Sequence, residues 1–388
     1  MNQPLGKILV VDDNEMNRDM LSRRLAKKGH CVDVAEDGAR ALEMIGASCY
    51  ELVLLDIMMP GIDGYEVLKR LRTEYDAADL PVIMATAKSE SEDVVAALKS
   101  GANDYVTKPF DFPVVLARVN TQLALKKSRD ELARAHRRMK ADLEAAARIQ
   151  QTLLPSTAPE LEGVRFAWRY LPCDELAGDT LNVFRIDEKR VGFFVLDVSG
   201  HGVPSSLLSV TLNRLLSGRG NPESIVCRAT PVGVLEELAR RFPYDDATHQ
   251  YFTVAYATFD VETRLVSYAS AGHPPAIRVR RGAEPELLSS TGPPVSLLPS
   301  IIAPTTYDQI EIRLEPGDRL YLYSDGISEA HSPDGEELGE ERVGELLQPL
   351  LGKDLEASIT TLLDRVWEWG GGKGPGDDVS VLALELES

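Results

Sequence analysis

Five residues among the first 110 positions could carry a reaction together: Asp12, Asp13, Asp56, Thr86 and Lys108. Each directly follows or ends a short apolar run: Lys7–Val11 before Asp12-Asp13, Leu52–Leu55 before Asp56, Val82–Ala85 before Thr86 and Asp104–Val106 shortly before Lys108. One Asp at a strand end is ordinarily a turn or a cap. Five such residues on alternate elements are a set. Three carboxylates at one edge repel each other unless a divalent cation lies among them, which implies Mg²⁺ beside Asp12, Asp13 and Asp56. The set suits phosphoryl transfer to a carboxylate. Asp56 attacks, Mg²⁺ held by Asp13 and Asp56 neutralises the phosphoryl oxygens, and Lys108 and Thr86 bind the product.

A second acidic set lies beyond Pro155. Gly178-Asp179, Asp197-Val198-Ser199-Gly200-His201-Gly202, Ser324-Asp325-Gly326 and Gly376-Asp377-Asp378 each adjoin a turn or an apolar run. Carboxylates at the ends of buried strands are costly unless a cation compensates them. Two cations about 3.5–4 Å apart generate hydroxide and clamp a phosphoryl group for in-line attack. Asp-Gly and Gly-Asp are also common turn pairs, so spacing alone leaves both readings open.

The elements that must position these residues fall into three zones. Up to about Leu125, strands alternate with helices (Glu15–Lys28, Gly38–Gly46, Gly64–Tyr75, Ser91–Ser100), which predicts a doubly wound, five-stranded parallel α/β sheet over residues 1–125. Its strands' C-terminal ends share one ligand-binding edge. From Leu116 to Leu154 the pattern is continuous helix, without Gly or Pro until Pro155, and residues 126–154 form a linker. Leu125, Leu132, Met139, Ala146 and Leu153 recur every seven residues, the period of a coiled-coil seam. Between Lys126 and Arg148 stand eight basic and four acidic side chains. With Ser128, Ala135 and Asp142 in the second row, two readings stay open: a dimerising coiled coil through residues 125–153, and a solvated helix lying on its own domains.

Residues 155–388 read as an antiparallel α+β sandwich: strands Phe166–Tyr170, Val191–Val198, Tyr251–Phe259, Leu265–Ala269, Ile277–Arg280, Gln309–Leu314, Arg319–Tyr323 and Val379–Glu385, with helices Pro204–Leu216, Pro231–Phe242, Glu341–Leu351 and Leu355–Trp369.

Composition narrows the function. Against 42 Lys and Arg stand 61 Asp and Glu, a formal charge of −19, which repels nucleic acid and anionic membrane. No apolar run reaches 18 residues and no signal-peptide core follows Met1, so the expected address is the cytoplasm. Cys31, Cys49, Cys173 and Cys227 stand far apart and read as isolated buried thiols in a reducing compartment.

Residues 5–125 resemble the two-component response-regulator receiver family in Val10-Val11-Asp12-Asp13, Leu54-Leu55-Asp56-Ile57-Met58-Met59-Pro60-Gly61, Thr86-Ala87 and Lys108-Pro109-Phe110. The resemblance implies Asp56 as phosphoacceptor, Thr86 with Tyr105 as residues that reorient after phosphorylation, and a sensor histidine kinase as partner. Residues 148–388 resemble the SpoIIE-type branch of the PPM serine/threonine phosphatases in Ile149-Gln150-Gln151-Thr152-Leu153-Leu154-Pro155, Asp197–Gly202, Ala271-Gly272-His273-Pro274-Pro275, Ser324-Asp325-Gly326 and Asp377-Asp378. This implies two Mn²⁺ or Mg²⁺ ions. Asp197 bridges them, the Val198 carbonyl and Asp179 serve one, Asp325 and Asp377 hold the other, and Asp378 is a further neighbour. His273 is structural; His201 is a proton donor or packs its loop. Where the family often has a second Asp, Asn182 stands; Ser199 replaces the His of eukaryotic relatives, leaving the general acid unassigned. The implied function is a phosphatase acting on a phosphoprotein such as an anti-sigma-factor antagonist in partner switching. The rival is an adaptor that binds a partner without catalysis.

Overall fold

The computed structural model describes residues 5–87, 95, 97–217, 225, 230–289, 292–297, 306–372, 374 and 376–387. It forms two compact units, Met1–Met139 and Lys140–Ser388, dividing within one long helix, Phe112–Gln151.

In the first unit β1 (Lys7–Val11), β2 (Cys31–Ala35), β3 (Leu52–Asp56), β4 (Val82–Thr86) and β5 (Asp104–Thr107) make a parallel sheet in the order β2-β1-β3-β4-β5. Alternate side chains leave opposite faces, so each strand must be apolar on both. Leu9, Val11, Val53, Leu55 and Met84 pack on helices Gly38–Ala47 and Gly64–Glu74; Ile8, Val10, Leu54 and Ile83 pack on Glu15–Lys27 and, through Val115 and Val119, on the long helix. Val11 pairs with Leu55 and Asp56 with Ala85, so Asp12 and Asp56 leave the same sheet edge. Half of the expected helix Ser91–Ser100 lies outside the described residues, with 95 and 97–99 helical, and Cys227 lies outside them.

The second unit is a sandwich of two antiparallel sheets. One has the order β13 (Ile310–Arg313), β10 (Leu265–Ala271), β9 (Phe252–Asp260), β8 (Arg190–Val198), β7 (Thr180–Arg185). The other runs β12 (Glu286–Leu288), β11 (Ala276–Val279), β14 (Arg319–Tyr323), β15 (Val379–Leu386), β6 (Val164–Leu171). Phe193, Val195, Leu320, Leu322, Leu382 and Leu384 fill the space between the sheets. Phe194 and Leu196 turn outward to helices Val203–Leu216 and Pro231–Arg241, and Tyr321, Tyr323 and Val381 to Glu340–Leu347 and Leu355–Trp369.

Several expectations change. The long helix begins at Phe112 and ends at Gln151, not Leu154: Thr152 and Leu153 bond back to Ile149 and Gln150 in a tighter turn ahead of Pro155, which bars helical geometry at the residue before it. The end of the run Ala177–Asn182, read as a loop, lies in strand β7, and Asp325 opens a short helix, Asp325–Ser328. Cys31, Cys49 and Cys173 are exposed rather than buried, Cys31 on an edge strand and the others in loops. The heptad row divides. Leu125, Leu132 and Met139 are 60%, 72% and 57% exposed, whereas Ala146 and Leu153 are half-buried and Gln150 is buried. Among the described residues no helix is long and apolar enough to cross a membrane.

Phe193 lies fully buried between the sheets, edge-on to Phe166 with ring centroids 5.6 Å apart. Phe193→Ala should cost the second unit about 3–5 kcal/mol, seen as an earlier denaturant midpoint by tryptophan fluorescence.

Candidate functional site

At the parallel sheet's edge, carboxylate oxygens of Asp12, Asp13 and Asp56 lie within 4.8 Å of one another, Asp13 exposed and the other two buried. Lys108 Nζ bridges Asp12 Oδ2 at 2.7 Å and Asp56 Oδ2 at 2.6 Å. Burial raises the Asp56 carboxyl above its ordinary range although the Lys108 ammonium pulls it down. Burial alone would lower Lys108; its bonds to Asp12 and Asp56 outweigh that and raise it. Thr86, buried, ends β4 as expected. Tyr105 is half-buried, with the Arg118 guanidinium 5.0 Å from its ring centre. Sequence reasoning missed Asn17, whose amide donates to both Asp12 oxygens at 3.1 and 3.2 Å, and Arg18, which donates to the Asp12 carbonyl at 2.7 Å. Both lie one turn into the helix capped by Asn14, and only that placement marks them.

In the sandwich, four elements deliver the second set. Asp197 comes from the end of β8, Asp179 from just before β7, Asp325 from the short helix after β14 and Asp377 from just before β15. Two glycines let these elements meet. A Cβ on Gly178 would stand 2.6 Å from the Val198 carbonyl and 3.5 Å from Asp197 Oδ1; one on Gly326 would stand 2.1 Å from the Asp378 carbonyl. Any larger residue would push the Asp179 loop off β8, or Asp325 off Asp377.

The electrostatics follow from this convergence. Burial first, then the negative charge of Asp325, Asp377 and Asp378, pushes the Asp197 carboxyl up to about 7. Burial, Glu329 and Asp377 push Asp325 up to about 6. Burial and Asp197 hold Asp179 well above the usual carboxylate range, and its Oδ2 is buried without a hydrogen-bond partner. Among the described residues no Lys or Arg pairs with any of the four. Buried Asp179 with its orphaned oxygen, half-buried Asp197 and Asp325 and exposed Asp377 form a donor set that fits divalent cations.

Asp378 adjoins the set, within 4.8 Å of Asp377, and makes backbone contacts the sequence did not indicate. Its Oδ1 accepts the Cys173 N–H at 2.8 Å and its Oδ2 the Gly178 N–H at 2.9 Å, so it ties down the loop that carries Asp179. Cys173, whose thiol burial and Asp378 push up to about 12, lies within 4.8 Å of Asp377 and Asp378. Asn182 points away from the carboxylates: its amide donates to Asn213 Oδ1 at 3.1 Å and to the Leu153 carbonyl at 3.4 Å. His273 is buried; burial holds it down at about 3, and its Nδ1 meets Thr253 Oγ1 at 2.7 Å. The His201 side chain is 84% exposed, 3.7 Å from Asp174. Gln150 was named in the sequence without a role. Its buried amide donates to the Ala177 carbonyl at 2.8 Å and accepts the Ala177 N–H at 3.3 Å, two residues from Asp179.

A parallel α/β unit with a Lys-bridged acidic edge and an antiparallel sandwich with an acidic cluster that no described Lys or Arg neutralises are the frames of a receiver and of a metal-dependent phosphatase. The Stage II sporulation protein E (SpoIIE) model matches residues 187–387, more than half of the chain, and the response regulator receiver domain model matches residues 8–120. The chain belongs to the SpoIIE family and carries a receiver domain ahead of its PPM phosphatase domain. Residues of the receiver are similar to the transcriptional regulatory protein HprR of Escherichia coli (strain K12), 43% identical over 117 residues, 30% of this chain and 51% of that protein. They are also similar to the response regulator MprA of Mycobacterium ulcerans (strain Agy99), 42% identical over 127 residues, 33% and 54%. The chain thus spans about half the length of the curated relatives it matches. The SiaA-PP2C domain of Pseudomonas aeruginosa shares the sandwich fold with a TM-score of 0.55 at 22% identity, covering 66% of this chain and all of that domain.

The raised carboxyls set a pH dependence. Folded Asp197 and Asp325 hold protons that the unfolded chain has released, so the cation-free protein should lose stability as pH rises from about 4 through their values of about 7 and 6. Mn²⁺ or Mg²⁺ at a hundred times its Kd should restore about 2.7 kcal/mol. Thermal unfolding should therefore show a larger cation-induced gain at pH 7.5 than at pH 5.5; an equal gain at both would contradict the carboxylate assignment.

Proposed function

We propose that this chain is a cytoplasmic response regulator whose output is a divalent-cation-dependent phosphoserine/phosphothreonine protein phosphatase, divided into residues 1–125, 126–154 and 155–388. That Asp179, Asp197, Asp325 and Asp377 stand at the ends of β7, β8, β14 and β15, where Gly178 meets the Val198 carbonyl and Gly326 the Asp378 carbonyl, with no Lys or Arg paired to them among the described residues, carries this reading. In it Asp197 would hold both of two cations, Asp179 and the Val198 carbonyl would serve one, and Asp325 and Asp377 would hold the other. Bound Mn²⁺ or Mg²⁺ supplies an activated hydroxide and neutralises phosphoryl charge. The chain's residues position that chemistry: Asp378 pins the Asp179 loop from one side and the Gln150 amide from the other. An adaptor without chemistry has no need of mutually repelling carboxylates such as buried Asp179 and half-buried Asp197 and Asp325, which cost stability. Asp197→Ala or Asp325→Ala should lower turnover of a phosphoserine peptide at least a thousandfold while circular dichroism stays unchanged. Near-wild-type rates in both would favour the adaptor.

In the receiver, Asp56 takes the phosphoryl group from a sensor histidine kinase with Mg²⁺ at Asp12, Asp13 and Asp56. Lys108, which already touches the Asp56 carboxylate, turns to the new phosphoryl oxygens, and Thr86 and Tyr105 follow. The substrate is a phosphorylated protein such as an anti-sigma-factor antagonist in partner switching. The link is the long helix, which pairs with a second copy along Leu125, Leu132 and Met139 and grips Ala177 through Gln150. Ala146 and Leu153 are half-buried by their own unit, so seam and cover compete for one face, a two-state element. With a phosphoryl mimic the wild type should change its phosphatase rate severalfold, whereas Asp56→Asn and the pair Leu132→Asp with Met139→Asp should show no change, the latter as a monomer by light scattering. Full regulation in that monomer would exclude the coiled-coil route.

A further inference from the structure

We propose that His273 is a positioning residue that sets the separation of the two sheets where Asp197 and Asp325 stand, and so the spacing of the two cations. The inference rests on the two-cation phosphatase reading and deepens it. Asp197 ends β8 in one sheet, whereas Asp325 follows β14 in the other. Two cations about 3.5–4 Å apart need ligands from both sheets at one fixed distance. The apolar layer between the sheets, Phe193, Val195, Leu320 and Leu322 among others, fills space without directional contacts. A directional contact at the site's own end of the sandwich holds that distance more closely.

The chain crosses from one sheet to the other beside the site. β10 ends at Ala271, opposite Val254, and the next residue of β9, Thr253, pairs with Asp197. β11 begins at Ala276, and Ile277 pairs with Tyr321, so its start adjoins the end of β14, just ahead of Asp325. The corner between them is Gly272-His273-Pro274-Pro275. Its backbone is closely determined. Gly272 has φ +63°, its N–H donates to the Gly292 carbonyl at 2.8 Å, and a Cβ there would stand 2.3 Å from Pro294. Two prolines fix φ on the far side. His273 is the one residue of the corner with a hydrogen-bonding side chain.

That side chain is 2% exposed, and its Nδ1 meets Thr253 Oγ1 at 2.7 Å. Opposite residues of an antiparallel pair share a face, so the Thr253 and Asp197 side chains lie side by side at the end of β8 and β9. On the second sheet the Tyr323 carbonyl, two residues before Asp325, draws a proton to the ring against the effect of burial. With that proton on Nε2, Nδ1 accepts from the Thr253 hydroxyl. Nε2 makes no hydrogen bond of ordinary geometry among the described residues, so the Thr253 contact is the firm one. The His273 carbonyl also accepts the Ser270 hydroxyl at 3.5 Å, holding the corner to β10. Burial keeps the ring uncharged, so it adds no repulsion beside bound cations. Groups that hold ligands in place from behind in this way govern metal affinity as the ligands do.

The experiment titrates the full-length protein with Mn²⁺ and follows it by low-temperature electron paramagnetic resonance. Two neighbouring ions give an exchange-coupled pair, while an ion in the receiver gives the same isolated signal in every variant. The Mn²⁺ concentration at which half the protein shows the pair should rise about tenfold to a hundredfold in His273→Ala and in Thr253→Val. Thr253→Ser, which keeps the hydroxyl, should stay within about twofold of the wild type. The Thr253 variants read the contact even where His273→Ala does not fold. Turnover of a phosphoserine peptide should fall through kcat and recover at high Mn²⁺, with KM unchanged. Phe193→Ala loosens the same sandwich away from the corner and should leave the pair's midpoint within about twofold. A shift in Phe193→Ala as large as that in Thr253→Val, or an unshifted pair in Thr253→Val, overturns the positioning role while the two-cation reading stands. A wild type that never shows the pair overturns the two-cation reading and the inference with it.

Discussion

Repulsion between buried carboxylates is the constraint around which both units are built. The receiver balances its own acidic edge from within: one ammonium, Lys108, touches both Asp12 and Asp56, and burial of all three is tolerable because opposite charges share the space. The acidic cluster of the phosphatase unit has no such cation among the described residues, and the carboxyls of Asp197 and Asp325 rise toward neutrality instead. The first arrangement suits a site whose carboxylate oxygen accepts a phosphoryl group while its ammonium stays. The second suits a site completed from outside, since ions that bind only the folded state turn its repulsion into stability.

Bringing like charges together demands a scaffold that resists their separation. That scaffold is made of main-chain contacts at the two glycines, 178 and 326, where no side chain fits, and of Asp378, which spends its own charge on backbone N–H groups instead of a cation. Gln150 adds a third restraint from the end of the long helix. The loop bearing Asp179 is therefore held by three segments distant in sequence, so a small shift of the helix end bears directly on that carboxylate's place.

The long helix shows the tension between a solvated surface and a seam. Its N-terminal turns are anchored by Val115, Val119 and Leu123 on the receiver sheet, and Lys126 Nζ reaches the Asp79 carbonyl at 2.6 Å. Beyond these, the apolar row stands exposed among charged neighbours up to Met139 and is partly covered from Leu143 onward. An exposed apolar row of this kind is unfavourable in isolation and gains by being covered.

The receiver's strands, their parallel order class and the five residues at one edge were legible in the sequence, because βα alternation places strand ends together by rule: period and turn signals are local properties of the chain. The sandwich strands were legible for the same reason, as apolar runs bounded by turns. The exceptions were β7 and β12. β7 begins directly after Gly178-Asp179, so its polar entry hid the strand, and β12 is only three residues long. The acidic residues of the second site were legible as types and positions, but not the division of labour among them. That Asp378 serves the backbone while Asp377 adjoins the cluster, that Asn182 turns to Leu153, and that Gln150 holds Ala177 depend on contacts between residues some 30 to 200 positions apart. Hydropathy and spacing fix which face a residue occupies. Only the packed structure decides which hydrogen bond a side chain on that face makes, because the partner arrives from an element the local pattern does not contain.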